Sequence, residues 1–175
     1  MGDEIQLCWI GRFEAQKDPL LAVEVVAELT SLYQDFRLVM VGTGSLKPLL
    51  EAEAARLGVA DKIEFTGALN RAGVAELMAG STVLLLTSHY EGSPRVVAEA
   101  GATGLPIVAT IEADTDRVLE RGVNGARVAG REPCGLAHAI MEAAACESQA
   151  CIARVQHRAA PQAVRRLLGQ DESGI

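Results

Sequence analysis

Two glutamates, Glu91 and Glu99, have the side-chain type and spacing that most directly suggest chemistry in this chain. Glu99 is the only charged side chain in VVAEAGATGLPIVAT, a run of 15 residues. A carboxylate in such an apolar setting is costly unless hydrogen-bond donors compensate for the lost water. Carboxylates accept hydrogen bonds well from neighbouring hydroxyls, so we predict that this pair binds a polar ligand with vicinal hydroxyls, such as a sugar.

A second candidate group follows the first apolar run of the chain. Arg12 and Lys17 both lie in GRFEAQKDP, directly after QLCWI. Two cations on one short loop can neutralise a diphosphate, Arg through its planar fork and Lys as a point charge. Two ordinary surface cations would give the same local pattern. The loop is a candidate because it directly follows the first predicted strand.

Two further segments could bind anions through the backbone. VGTGS at 41–45 follows the second apolar run, and its glycines permit close backbone approach at the start of a helix, where anions are favoured. In EGSPR, Ser93 can cap a helix whose first position suits Pro94. The chain lacks the third glycine and the downstream acid of a dinucleotide fingerprint, which disfavours NAD binding.

The elements that must position these residues alternate between strand and helix. We predict an α/β fold with a doubly wound, mostly parallel six-stranded sheet and helices on both faces. In such sheets ligands bind at the carboxyl ends of the strands, where the candidate residues fall. The predicted strands cover 6–12, 36–42, 62–67, 82–88, 106–110 and 126–130. The predicted helices cover 17–32, 45–57, 71–79, 94–104, 134–147 and 152–168.

Composition excludes several classes of function. A net charge of −7 over 175 residues and an aromatic content of 3% disfavour a nucleic-acid partner. No apolar run approaches the ~18–20 residues of a membrane span, and no basic leader precedes the first strand, so we expect a cytoplasmic protein. The length predicts a single domain over 1–175. We expect reduced, structural cysteines and no metal site from Cys8, Cys134, Cys146 and Cys151.

Several polar residues near these motifs have ordinary interpretations. His89 precedes Glu91 and is interpreted as a structural histidine rather than a catalyst. Glu112, Asp114 and Asp116 follow the fifth predicted strand and are interpreted as a solvated acidic loop. The basic stretch before the acidic tail is interpreted as a solvated helix face.

Five segments taken in order resemble the carboxyl-terminal domain of a retaining glycosyltransferase of the GT-B fold, family 4 (group 1). They are WIGRFEAQKDP, LVMVGTGSLKPLLE, IEFTGAL, VLLLTSHYEGSPRVVAEAGATGLPIVAT and GVNGARV, within residues 5–147. The resemblance implies a Rossmann-like half of a two-domain enzyme. Glu91 and Glu99 match the two acids of the family's E-x7-E motif.

The resemblance also implies roles for single residues. Arg12 and Lys17 would bind the donor diphosphate and, with Glu91, form the catalytic set. Glu91 would contact hydroxyls of the transferred sugar, and Glu99 the ribose. The turn that begins at Thr66 would line the base. The full donor-binding set is Gly11, Gly42, Thr66, Gly67, Leu69, Gly92, Ser93, Pro94, Arg95 and Glu99.

The implied ligand is a nucleotide diphosphate sugar, UDP- or GDP-linked, with no permanent cofactor and no metal. The acceptor, a glycan, lipid or small molecule, would be bound by an amino-terminal domain that this chain lacks. Any contact with the inner face of a membrane would also be made by that domain. The isolated chain is therefore expected to bind nucleotide without transferring sugar.

The chain departs from the family pattern at two places, of which the first supports a module without catalysis and the second concerns the choice of sugar. ATIEADTDRVLE stands where members often have a Gly-Gly pair followed by Pro-Glu, and Ser93-Pro94 replaces a frequent aromatic-Gly pair. The alternatives are a nucleotide-binding module without catalysis, a nucleotide-sugar epimerase half and, last, a generic Rossmann dehydrogenase.

Overall fold

The computed structural model describes residues 5–32, 36–90, 95–114, 117 and 119–144, and every structural statement below concerns these residues. The strands are β1 Ile5–Ile10, β2 Phe36–Val41, β3 Ile63–Gly67, β4 Val83–Leu86, β5 Ile107–Thr110 and β6 Gly125–Val128. The helices are α1 Pro19–Leu32, α2 Lys47–Arg56, α3 Arg71–Gly80, α4 Arg95–Thr103 and α5 Pro133–Ala143. The predicted helix at 152–168 and the predicted Ser93 cap lie outside the described residues.

The strands form one six-stranded sheet in the order β3-β2-β1-β4-β5-β6. Every pairing between neighbouring strands is parallel. The predicted doubly wound sheet is therefore confirmed. The strand order reverses between β1 and β4, which is the position where sheets of this topology leave a crevice for ligands.

Both faces of the sheet are covered by helices, as predicted. Alternate residues of β1 point to opposite sides, so Trp9 belongs to the core beneath α1 and α5, while Cys8 belongs to the core beneath α3 and α4. Helix α1 also packs directly against α5, and α3 packs against α4. Burial on both faces explains why the strand sequences are continuous apolar runs rather than alternating ones.

Helix α1 begins at Pro19, where the fixed φ of proline suits the first helical position. Its buried positions include Val23, Val25, Val26 and Leu29. Burying a side chain of this size contributes about 1.5–3 kcal/mol. The helix thus holds the loop that precedes it at the carboxyl edge of the sheet.

The fourth strand is shorter than predicted. It ends at Leu86 rather than at residue 88. Thr87 and Ser88 are buried. The Thr87 hydroxyl donates to the Asp18 carbonyl, and the Ser88 carbonyl accepts a hydrogen bond from the Thr110 hydroxyl at the end of β5. β6 likewise covers 125–128 rather than 126–130.

Two of the four cysteines lie in the described part of the chain. Cys8 and Cys134 are both free thiols, the first buried and the second exposed. Burial raises the pKa of the Cys8 thiol to about 12. Cys8 is therefore a structural core residue that stays protonated at neutral pH.

Within these ranges, no helix combines the length and the apolar character needed to cross a bilayer. The same ranges contain no group of three or more His, Cys, Asp or Glu side chains placed to hold a metal ion.

Candidate functional site

The loop that follows β1, residues 11–18, is called the cationic loop because it carries Arg12 and Lys17. Its chain makes a short 3-10 turn at Ala15–Lys17 and ends at Asp18, whose φ of 44° is left-handed. Arg12 is exposed and Lys17 is half-buried. Both cations therefore stand at the carboxyl end of the central strand, where the sequence placed them.

The cationic loop packs backbone against backbone on the loop that follows β2. The Phe13 amide donates to the Thr43 carbonyl at 2.9 Å, and the Leu46 amide donates to the Phe13 carbonyl at 3.0 Å. A Cβ at Gly42 would lie 1.8 Å from the Gly11 carbonyl oxygen, and one at Gly44 would lie 2.4 Å from that of Phe13. The glycines of VGTGS therefore do allow a close backbone approach, as predicted, but the backbone they approach is that of the cationic loop.

An acid of the chain itself occupies the anion position predicted at the start of the second helix. Glu14 accepts hydrogen bonds from the Ser45 amide at 3.0 Å and from the Ser45 hydroxyl at 2.9 Å. These two bonds hold the pKa of the Glu14 carboxyl below its ordinary value, and the bond from the Ser45 amide has the larger effect. The expectation that this helix start receives a ligand anion is therefore corrected, because its donor at Ser45 is already used.

The lowered pKa of Glu14 makes a prediction about pH and stability. A carboxyl whose folded pKa is lowered stabilises the fold above its unfolded pKa, near 4.5, and loses that contribution as pH falls through the folded value. Glu14→Gln should therefore lower Tm at pH 7, and the gap from wild type should narrow below pH 4.5. Thermal unfolding followed by circular dichroism from pH 7 to 3 measures this gap, and parallel Tm curves would contradict it.

The cationic loop is also joined to the end of β4. The buried Thr87 hydroxyl lies 2.9 Å from the Lys17 carbonyl and 2.7 Å from the Asp18 carbonyl, and it accepts a hydrogen bond from the Trp9 indole at 2.9 Å. The His89 amide donates to the Gln16 carbonyl at 2.9 Å. The loops on either side of the crevice between β1 and β4 are therefore held at a fixed separation.

Arg131, which follows β6, completes this arrangement. Its Nη2 donates to Asp18 Oδ2 at 2.6 Å and also to the Thr87 carbonyl, and its Nη1 lies 3.4 Å from the Ser88 carbonyl. Asp18 Oδ2 is also 3.4 Å from Nε2 of His89. His89 is thus a neighbour of this ion pair, in keeping with a structural interpretation.

A cavity of about 490 Å³ opens between α3 and α4 at the carboxyl end of β1. Its lining includes Ile10, the residue directly before the cationic loop. Charged groups enter it from both helices: Arg71 from α3, and Arg95 and Glu99 from α4. The remaining lining is mainly apolar and consists of Leu69, Val74, Ala75, Met78, Ala102 and Thr103.

Glu99 is half-buried rather than buried. The buried residues of α4 are Val97, Ala100 and Gly101, so Glu99 falls beside the apolar face of the helix and borders the cavity. Among the described residues it forms no ion pair with either guanidinium of the cavity. The interpretation of Glu99 as a carboxylate in an apolar environment is corrected: it stands at the edge of an open, mixed pocket.

Of the other predicted site residues, one lines the cavity, two form main-chain hydrogen bonds, and four lie outside the described residues. Leu69 lines the cavity and is exposed by 38%. Gly67 uses its carbonyl to accept a hydrogen bond from the Gly42 amide at 2.9 Å, and the Thr66 hydroxyl bonds to main-chain oxygen. Four predicted residues lie outside the described residues, namely Glu91, Gly92, Ser93 and Pro94.

The acidic loop after β5 differs from expectation. Asp114 is 2% exposed, accepts a hydrogen bond from the Leu119 amide at 3.3 Å, and lies 3.4 Å from Arg127. The interpretation as a solvated acid is wrong for Asp114, because it shapes the loop from within. Glu112 is exposed and lies 3.7 Å from Arg131, and Asp116 lies outside the described residues.

Sequence reasoning missed four residues of this region: Asp18, Arg71, Thr87 and Arg131. Thr87 carried a signal, since it is a hydroxyl at the end of an apolar strand. Asp18 carried another, because it directly precedes the proline that begins α1. Arg131 lies 113 residues from Asp18, and no local pattern links the two.

A doubly wound parallel sheet whose strand order reverses at its centre defines a Rossmann-like domain. The family model for "Glycosyl transferases group 1" matches residues 2–162. The chain belongs to the group 1 glycosyltransferase family. Its structural neighbours place it as the carboxyl-terminal domain of a GT-B fold.

A D-inositol 3-phosphate glycosyltransferase of Acidothermus cellulolyticus is 33% identical over 147 residues, which are 79% of this chain and 33% of that protein. The chain thus spans about a third of the length of that curated relative. Among solved structures, Anabaena HepE in complex with UDP and glucose matches with a TM-score of 0.79 at 22% identity, over 99% of this chain and 49% of HepE.

A further solved match is the C-terminal domain of the group 1 glycosyl transferase LpcC from Francisella tularensis. It gives a TM-score of 0.75 at 18% identity, over 97% of this chain and 86% of that domain. At these identities the two solved structures support the fold alone.

Proposed function

We propose that this chain binds a nucleotide diphosphate sugar in the crevice between β1 and β4 and forms the donor half of a retaining glycosyltransferase. The observation that carries the proposal is the position of Glu99, on a cavity of about 490 Å³ whose lining includes Ile10, the residue directly before the cationic loop. A carboxylate suited to a diol and a pair of cations suited to a diphosphate are thereby placed along one crevice. A nucleotide diphosphate sugar carries both kinds of group, a ribose diol and a diphosphate.

In this proposal the cavity between α3 and α4 takes the nucleoside. Glu99 accepts hydrogen bonds from the ribose hydroxyls, and Leu69 covers the base together with main-chain groups of the turn that begins at Thr66. The apolar walls of the cavity suit the flat faces of a base. Arg71 and Arg95 border the same cavity and make it more favourable for an anionic ligand.

The cationic loop takes the diphosphate. Arg12 and Lys17 neutralise the charge that develops on the diphosphate as its bond to the anomeric carbon breaks, and Gly11 and Gly42 form the backbone beneath it. The acceptor hydroxyl oxygen replaces the diphosphate oxygen on the same face of that carbon, so the configuration is retained, and the hydroxyl proton passes to the departing diphosphate. Fixed cations aimed at developing charge lower the barrier most when water is excluded.

We assign the sugar contacts to Glu91 and to the backbone of the segment formed by Gly92, Ser93 and Pro94. Glu91 orients the transferred sugar and does not act as a covalent nucleophile. This assignment is supported by the family membership and by the E-x7-E spacing to Glu99.

The acceptor belongs to another domain in this proposal. The chain matches a third of its Acidothermus relative, and it covers 49% of HepE. We infer that residues 1–175 form one donor-binding domain, and that an amino-terminal domain binds a glycan, lipid or small-molecule acceptor. Any contact with the inner face of a membrane, in an otherwise cytoplasmic protein, would be made by that domain.

Calorimetry with UDP, GDP and ADP tests the proposal on this chain. We expect saturable binding of one nucleoside diphosphate, UDP or GDP rather than ADP, and the solved neighbours in complex with UDP support the first of these. The matching monophosphate should bind more weakly, since it offers the cationic loop less charge. The same preparation should show no sugar transfer from the corresponding nucleotide sugar.

Two results would contradict the proposal. Failure of a folded sample to bind any nucleoside diphosphate would remove the donor site. Sugar transfer by the isolated chain would refute the need for a second domain. For the full-length gene product, transfer that is abolished by Glu91→Gln would exclude a binding module without catalysis.

A further inference from the structure

The Arg131 guanidinium lies where the two loops beside the crevice meet. It donates to Asp18 at the end of the cationic loop, and to the carbonyls of Thr87 and Ser88 in the segment that leads to Glu91. Its side chain is 25% exposed and that of Asp18 is 21% exposed. The planar fork of arginine suits several acceptors at fixed angles, which a lysine cannot satisfy together.

Asp18 connects Arg131 to Lys17 through the backbone. It directly follows Lys17, adopts a left-handed conformation with φ 44°, and its Oδ1 lies 3.4 Å from the Leu21 amide at the start of α1. The Lys17 and Asp18 carbonyls both meet the Thr87 hydroxyl. The backbone that carries Lys17 is therefore held by Asp18 and by Thr87, and Arg131 donates hydrogen bonds to both of these residues.

We infer that Arg131 is a positioning residue for the diphosphate subsite, and this inference rests on the proposed function. Arg131 keeps the cationic loop at the distance from the β4 end at which Lys17 meets the donor diphosphate. Arg131 lines no part of the cavity assigned to the nucleoside. Its loss should therefore weaken recognition of the phosphates and leave recognition of the nucleoside unchanged.

The experiment compares two ligands on the same protein. Calorimetry gives Kd for the preferred nucleoside diphosphate and for its monophosphate with wild type, Arg131→Met and Arg131→Lys. Arg131→Met should weaken diphosphate binding by about tenfold, a loss of about 1.4 kcal/mol, and change monophosphate binding by less than about twofold. The diphosphate Kd of Arg131→Lys should fall between those of wild type and Arg131→Met, because an ammonium can form only some of the hydrogen bonds that the guanidinium forms.

Arg121→Met serves as the matched control. Arg121 forms an ion pair with Glu142 at 2.9 Å and is 61% exposed, and it contacts neither loop of the crevice. It should leave both Kd values unchanged. If Arg131→Met fails to fold, Asp18→Asn tests the same contact, since asparagine tolerates the left-handed conformation and removes the charge.

The outcomes separate this inference from the proposed function. Equal weakening of both ligands, or no weakening of either, would overturn the positioning role while leaving the donor site intact. Absence of nucleotide binding in the wild type would overturn both. A selective loss of diphosphate binding in Arg131→Met or Asp18→Asn supports the positioning role.

Discussion

Replacing Lys17 by alanine should lower kcat of the full-length gene product by about 10²–10³-fold. Donor binding should weaken much less, by about 10–20-fold, because the negative charge on the diphosphate grows as its bond to the anomeric carbon breaks and Lys17 acts mainly on that increase. Arg12→Ala should act in the same direction. Steady-state kinetics gives the effect on kcat, and calorimetry gives the effect on donor Kd.

Lys47→Ala is the matched control for this prediction. Lys47 is the first residue of α2, and its ammonium forms an exposed pair with Glu51, one turn further along the same helix, at 3.1 Å. It should leave kcat and donor Kd unchanged. A Lys17→Ala enzyme that loses donor affinity at unchanged kcat would show that the cation contributes equally in the ground state and the transition state, contrary to the proposed role.

Replacing Glu99 by glutamine should weaken nucleotide binding by about 10–100-fold, the value of one or two hydrogen bonds to a charged group. The loss should be the same for diphosphate and monophosphate, because both carry the ribose. The pattern therefore differs from that expected for Arg131. Calorimetry on the isolated chain measures both ligands.

A 2′-deoxy nucleotide sharpens the test of Glu99. Wild type should bind it more weakly than the ribonucleotide, and Glu99→Gln should reduce or remove that difference. Glu76→Gln, on the exposed side of α3, should behave as wild type. If Glu99→Gln binds every ligand as tightly as wild type, the assignment of ribose to Glu99 is wrong.

Most of the architecture could be predicted because its signals are local. Apolar runs such as residues 36–41 gave the strands, and Pro19 and Gly104 marked the start of one helix and the end of another. Gly104 has a φ of 74°, a conformation that follows helices readily only in glycine. The order of charged residues after successive strands then placed the candidate site at one edge of the sheet.

The errors come from side-chain partners and orientations that the sequence does not show. Asp114 is buried because Arg127 and the Leu119 amide satisfy it, and neither partner is visible in a local pattern. The glycines of VGTGS approach the loop after β1 rather than a ligand, which depends on how two loops meet at the edge of a sheet. The exposure of Glu99 follows from its angle on α4, which the apolar sequence around it obscured.

The packing of Gly42 and Gly44 onto residues 11–13 has a practical consequence for redesign. Because the two segments share main-chain hydrogen bonds and leave no space for a Cβ, a segment taken from a relative fits at either place only if it keeps glycine at positions 42 and 44. We expect a chimera intended to change donor choice to fold more readily when both segments are transplanted together, with Asp18 and Arg131 kept as a pair.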